Sequence, residues 1–350
     1  MPFSTQPDDE FTFSRALDPM AAHMEAASAS RALRVARAVR DAGARARALA
    51  VLSRAVPEDE RLALLDEALS AARSIGDPWR RVRALMPAAL RMPEQAREML
   101  AREVFQAVMN IQGDWLRGRA LSMLRRLATA EVRRQALQAA RALKAHNERI
   151  SALCAYAGDL PPDELERLLA QVESIPDEWL RQSLLASLAE HLPRPALERA
   201  VDLARRLHGT PRALALAELG LALPDWGPLL REEALADARN LAQPSERAEA
   251  LTELMAGMPA ESHAALAGEA LAAARAVRDP LIRAALLADL IEFLPARDGT
   301  AAVGEAGLAA RGITDPILRA EHLSRLIPYL GEAERPLAIG EVLSLFEDSA

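Results

Sequence analysis

Lysine is nearly missing from this 350-residue chain: Lys144 stands alone, and the other 42 of its 43 basic residues are arginine. Lys144 follows no glycine-rich stretch, which excludes a lysine-tipped phosphate-binding loop. Cysteine is equally scarce. Cys154 is the one present, so neither an intramolecular disulfide nor a zinc site built from cysteines is available. Aromatic residues make up 3%, glycine occupies 16 positions and β-branched residues are few, leaving little material for a sheet. No run of 18 apolar residues offers a membrane span. Met1 to Glu10 ends in Asp8, Asp9 and Glu10, without the basic and apolar segments of a secretory signal. The net charge of −7 gives the chain as a whole no electrostatic pull on a polyanion. The expectation is a cytoplasmic protein with no membrane contact.

What is present is alanine and leucine. Apolar residues reach 51% and alanine alone contributes 75, the best helix former. An arginine followed four residues later by leucine recurs nine times, at Arg45, Arg81, Arg117, Arg149, Arg181, Arg212, Arg247, Arg283 and Arg319. Successive copies lie 31 to 36 residues apart, and each leucine, from Leu49 to Leu323, keeps its place. A period of that length points to stacked helical units, none of which can bury its apolar face alone.

The punctuation between copies has a mechanism. Four residues before the arginine stands Asp41, Asp77, Asp177, Asp279 or Asp315, suited to accept hydrogen bonds from the first helical turn. Pro78, Pro244, Pro280 and Pro316 come next, where a missing N–H costs nothing. An apolar residue lies six before the arginine in eight copies, and proline lies twelve after it in seven, Pro57 and Pro224 among them. Each unit therefore reads as helix A, proline turn, helix B, aspartate turn.

The stretches Asp77-Pro78-Trp79-Arg80-Arg81 and Asp279-Pro280-Leu281-Ile282-Arg283 resemble the A helices of HEAT-like α-solenoids, including repeat arrays of large bacterial signalling proteins. The period also approaches that of tetratricopeptide repeats, but the Trp–Leu–Gly–Tyr pattern of that family is missing. The resemblance implies an all-α, right-handed α-solenoid of about nine helix-turn-helix repeats. Residues 1–20 are expected to form a flexible arm, 21–346 one repeat domain and 347–350 a polar tail. Ala21 to Val39 reads as an unpaired B helix, and Glu334 to Phe346 as a closing one.

Catalytic signals are missing. No two of the six histidines lie three or four residues apart, so no helix offers a metal-ligating pair, and Cys154 sits mid-helix as a small apolar side chain. Neither a catalytic residue, a metal nor a cofactor is expected. A second charge recurs fourteen residues before the arginine, at Glu67, Glu103, Glu198, Glu233, Glu269 and Glu305. Because it repeats where an active site would be single, it reads as a structural ladder in which these glutamates pair with the repeat arginines. Arg37, Arg73, Arg125, Arg126, Arg205 and Arg206 would then remain free for an alternative function, binding nucleic acid. Trp79, Trp115 and Trp179 share one slot, two residues before the arginine. Tryptophan is enriched in interface hot spots, so these three are the candidate binding residues of a non-catalytic scaffold whose partner is a protein or peptide.

Overall fold

A computed structural model describes residues 9–223 and 225–347 of the chain. Residues 1–8 of the expected arm, Pro224 and residues 348–350 of the expected tail lie outside the described residues. The fold is all-α, with twenty α-helices and no strand among the described residues. It divides into two compact units, one of residues 145–306 and the other of residues 2–144 together with 307–350.

The first helices are α1 (Asp9–Ala21), α2 (Ala26–Ala38), α3 (Ala42–Leu52), α4 (Glu58–Arg73), α5 (Pro78–Ala89), α6 (Glu94–Met109), α7 (Asp114–Leu124) and α8 (Ala130–Arg141). Then follow α9 (His146–Cys154), α10 (Pro162–Glu173), α11 (Glu178–Ala189), α12 (Arg194–Arg205), α13 (Gly209–Ala222) and α14 (Gly227–Arg239). The last six are α15 (Pro244–Met255), α16 (Ala260–Arg275), α17 (Pro280–Leu290), α18 (Ala296–Arg311), α19 (Pro316–Ser324) and α20 (Arg335–Glu347). The nine arginine registers fall one each on the odd-numbered helices from α3 to α19.

Local chemistry sets these boundaries as the sequence implies. Asp41, Asp77, Asp177, Asp279 and Asp315 each occupy the N-cap of an A helix and accept from its first-turn N–H groups. Where the third register lacks that aspartate, Gly113 caps α7 at φ +81°, a conformation that costs glycine little. Pro57, Pro93, Pro161, Pro193 and Pro259 cap B helices. The leucine four residues after each arginine is buried in all nine copies. Within each unit, A helices pack on their own B helix and on the next A helix, as α3 does on α4 and α5, and α11 on α12 and α13.

The two charged slots have different partners from those expected. Apart from Arg212, which pairs with Glu233, the repeat arginine is not found in an ion pair with a ladder glutamate among the described residues. In seven copies its guanidinium donates to the carbonyl oxygen of the apolar residue six positions earlier, just past the preceding B helix: Arg45 to Val39, Arg81 to Ile75, Arg117 to Ile111, Arg181 to Ile175, Arg247 to Leu241, Arg283 to Val277 and Arg319 to Ile313. Carbonyls at a helix end have no intrahelical donor, and a cation there also meets the negative end of the helix dipole. Arg212 departs by pairing with Glu233 and Asp237, and Arg149 by meeting His146.

The glutamates instead pair with a second arginine, on the B helix of the preceding repeat. The rungs are Arg37–Glu67, Arg73–Glu103, Arg205–Glu233, Arg239–Glu269, Arg275–Glu305 and Arg311–Glu341, with N···O distances of 2.6–3.1 Å. Arg37, Arg73 and Arg205 are thus engaged rather than free, and Arg206 pairs with Glu173. The ladder breaks in the middle repeats for a legible reason. Gln135 replaces the glutamate where Met109 replaces the arginine, so both partners of that rung are lost together. Glu198 meets Arg194 of its own helix.

Both ends of the chain belong to one unit, and they pack together. Helix α1 lies against α3 and α19, and α2 against α3 and α20. The arm expected over residues 1–20 is therefore, from Asp9 onward, a helix that buries Phe13, Ala16, Leu17 and Met20, and α2 is not the first helix. The rings of Phe13 and Phe346 meet at 4.6 Å between centroids, inclined at 65°. Arg31 donates to Glu347 at 2.9 Å and to Ser344 at 3.0 Å, and Arg15 pairs with Glu321 at 3.1 Å. Glu347, expected in the tail, is the last residue of α20. Arg31 stands in the slot that holds glutamate in other repeats, so this contact is a ladder rung with its charges exchanged.

Three outcomes follow from these contacts. Truncating Phe346 to alanine removes a buried ring and should cost about 3 kcal/mol in denaturant unfolding, because α20 covers α2 instead of facing water. Arg283→Ala should cost roughly 1 kcal/mol, the net worth of one hydrogen bond to a helix-end carbonyl, and should leave the Arg275–Glu305 rung intact. The rungs, with side chains a quarter to half exposed, are each worth about 0.5 kcal/mol. Hydrogen bonds from Arg239 and Arg275 hold Glu269 and Glu305 below the ordinary value of 4.5, against the opposing effect of burial. A lowered folded-state pKa means stability fully present above about pH 4.5 and lost as pH falls through the lowered value. The stability difference between the wild type and Glu305→Gln should accordingly shrink as pH falls, in urea titrations run from pH 7 down to pH 3.

Candidate interaction site

Helices α5 and α7 are successive A helices of one unit, and their outer faces carry the same sequence of side chains. On α5 and the turn after it, Trp79, Arg83, Pro87 and Arg91 stand four residues apart; on α7 and the turn after it, Trp115, Arg119, Met123 and Arg126 follow nearly the same course. Steps of three and four residues keep such side chains on one face of a helix. None of the eight is buried. Trp115 is 57% exposed, far more than an indole that fills a gap between layers.

The two indoles are joined through arginine. The Arg83 guanidinium carbon lies 5.4 Å from the centre of the Trp79 ring, and that of Arg119 lies 6.0 Å from Trp79 and 5.4 Å from Trp115. Arg119 therefore bridges tryptophans of adjacent repeats, within reach of the negative ring faces of both. Trp79, the more covered of the pair, does double duty: it closes the seam toward α7 and remains on the outer face. Trp179 is 38% exposed and lies on α11, in the other unit.

At the far end of the same stripe the arginines gather around one carboxylate. Asp18 of α1 lies 3.3 Å from Arg54 and 3.4 Å from Arg91. Burial lowers the Arg91 pKa from its ordinary value, Asp18 opposes this, and the nearby charges of Arg54 and Arg126 add to it. Arg125 and Arg126 are exposed. This basic turn escaped the sequence reading, which took Arg125 and Arg126 as free for nucleic acid; Arg54, Arg91 and Arg126 recur nine or ten residues after the repeat arginine, the signal that could have found it.

Among the described residues no group of three histidine, cysteine, aspartate or glutamate side chains is placed to hold a metal ion. Cys154 is 2% exposed, and burial raises its thiol pKa far above the ordinary value, which suits packing rather than attack. No helix of the described residues is long and apolar enough to cross a membrane.

The tryptophans should separate in stability measurements. Trp79→Ala removes a partly buried ring and two cation contacts and should cost roughly 2 kcal/mol, whereas Trp115→Ala should stay within about 0.5 kcal/mol of the wild type. Chemical denaturation followed by helical circular dichroism measures both, and a large loss for Trp115→Ala would mean that this ring is core after all. No protein-family model matches the chain, and comparison with curated proteins finds no match either.

Proposed function

We propose that the protein is a non-catalytic helical scaffold of the HEAT-like kind, acting in the cytoplasm and holding another protein or a peptide on the outer face of α5 and α7. The observation that carries this reading is the 57% exposed Trp115, tied through Arg119 to Trp79 on the neighbouring A helix. Large amphipathic rings gain little from water and contribute most when a partner covers them. The regular helices beneath supply a rigid support, which lowers the entropy lost on association. The alternative of a nucleic-acid-binding array has less support, since Arg37, Arg73, Arg205 and Arg206 are engaged with glutamates and the net charge is −7.

Selection from a random peptide library displayed on phage tests the scaffold. Immobilised wild type should enrich a recurring sequence, and Trp115→Ala, folded to the same extent, should fail to retain it. Equal retention by the variant would move the binding surface elsewhere, and no enrichment by either would remove the peptide-scaffold reading.

A further inference from the structure

The face of α5 and α7 is aromatic at one end and basic along the rest of its length, and that asymmetry defines a partner. From Trp115 to Arg126 is eleven residues, or about 16 Å of helix at 1.5 Å per residue. An extended peptide covers that distance in about five residues. Within the stripe, Arg119 makes its contacts with the two indoles and has no carboxylate within ion-pair distance among the described residues. A guanidinium laid against an aromatic ring keeps its N–H donors around its edge, held in a plane and ready for a carboxylate.

The basic end already shows what such a ligand looks like. Asp18 is a carboxylate of the chain's own, 51% exposed, touching Arg54 and Arg91 at 3.3 and 3.4 Å, longer than the 2.7–2.9 Å of a good charge-assisted hydrogen bond. One carboxylate faces Arg54, Arg91 and the nearby Arg126, so the group keeps an excess of positive charge. Asp18 is a weakly held stand-in at the end of a stripe with room for more acid groups.

We propose that this face binds an acidic peptide with apolar or aromatic side chains at one end and a run of carboxylates beyond them, the apolar ones covering Trp115 and Trp79 and the carboxylates reaching Arg119 and the Arg91–Arg126 end. The inference rests on the scaffold reading and names its partner class. An acidic peptide is favoured over nucleic acid because the whole chain carries −7: the favourable field is local, suited to a short segment and not to a long polyanion.

Fluorescence anisotropy with defined probes tests the proposal on the full-length protein in 150 mM salt. The probes are a fluorescein-labelled Leu-Phe-Leu-Asp-Glu-Asp-Asp peptide, the same peptide with Asn and Gln for its acids, and a labelled oligothymidine of twelve nucleotides. The acidic peptide should bind at least ten-fold more tightly than the neutral one. Arg119→Gln and Arg126→Gln, each at an exposed position and melting as the wild type does, should each weaken it several-fold. Asp18→Asn should strengthen binding about two- to three-fold by removing the internal competitor. Equal binding of acidic and neutral peptides overturns the charge assignment while the library selection above still stands. Acidic binding unaffected by the arginine substitutions overturns the location, and oligothymidine binding more tightly than the acidic peptide overturns the partner class.

Discussion

The carbonyl group at the end of each B helix is the constraint on which the array depends. The chain must turn there into the next A helix within a few residues, and the last helical carbonyls lose their donors as it does so. In seven copies an arginine from the following helix supplies the missing donor, reaching back six residues to the apolar position that closes the turn. That bond ties the start of an A helix to the end of its predecessor. The leucine one turn later is buried in all nine copies, including the two whose arginines have other partners. Arginine suits the task better than lysine because its planar fork is rigid and always charged.

Once the turns are fixed, the B helices of successive repeats lie close enough for a second set of contacts. Their arginine–glutamate rungs are partly exposed, and such pairs contribute little stability individually. Their value lies in register, since a helix slid by one turn would in most rungs leave the arginine opposite an alanine or another apolar side chain and both charges unpaired. The rung between Arg31 and Glu347 applies the same geometry with opposite polarity, where the two ends of the chain meet within one unit. Exchanged charges at that place disfavour pairing of α20 with a glutamate-bearing B helix, a discrimination that attraction alone would not provide.

The face of α5 and α7 sits apart from both devices. Neither the helix-end bonds nor the rungs use Trp79, Trp115 or Arg119, and only Trp79 also contributes to packing. Conversely, the regular spacing of the repeats is what brings an arginine of one A helix over the indole of the previous one. The surface is thus a by-product of the period, available wherever the slot holds a large side chain.

The sequence by itself determined the period, the all-helical class, the aspartate and proline caps, the buried leucines and the shared slot of the tryptophans. The caps and the helical class depend on residues within one or two turns of each other, where propensity and capping chemistry act alone; the period, the leucines and the tryptophan slot show because the same local pattern recurs every 31 to 36 residues. Tertiary structure decided the rest. Which arginine meets which glutamate depends on how far B helices are displaced between repeats, and the partners lie 28 to 30 residues apart. Helix α1 was hidden for a related reason: wedged between α3 and α19, it buries Thr12 and Ser14 along with Phe13 and Leu17 and leaves only Arg15 and Asp18 exposed among residues 12–18, so buried polar residues blur the contrast between faces that would mark a helix. Only the meeting of the chain ends places those residues in a core, and no local pattern records a contact made more than 300 residues away.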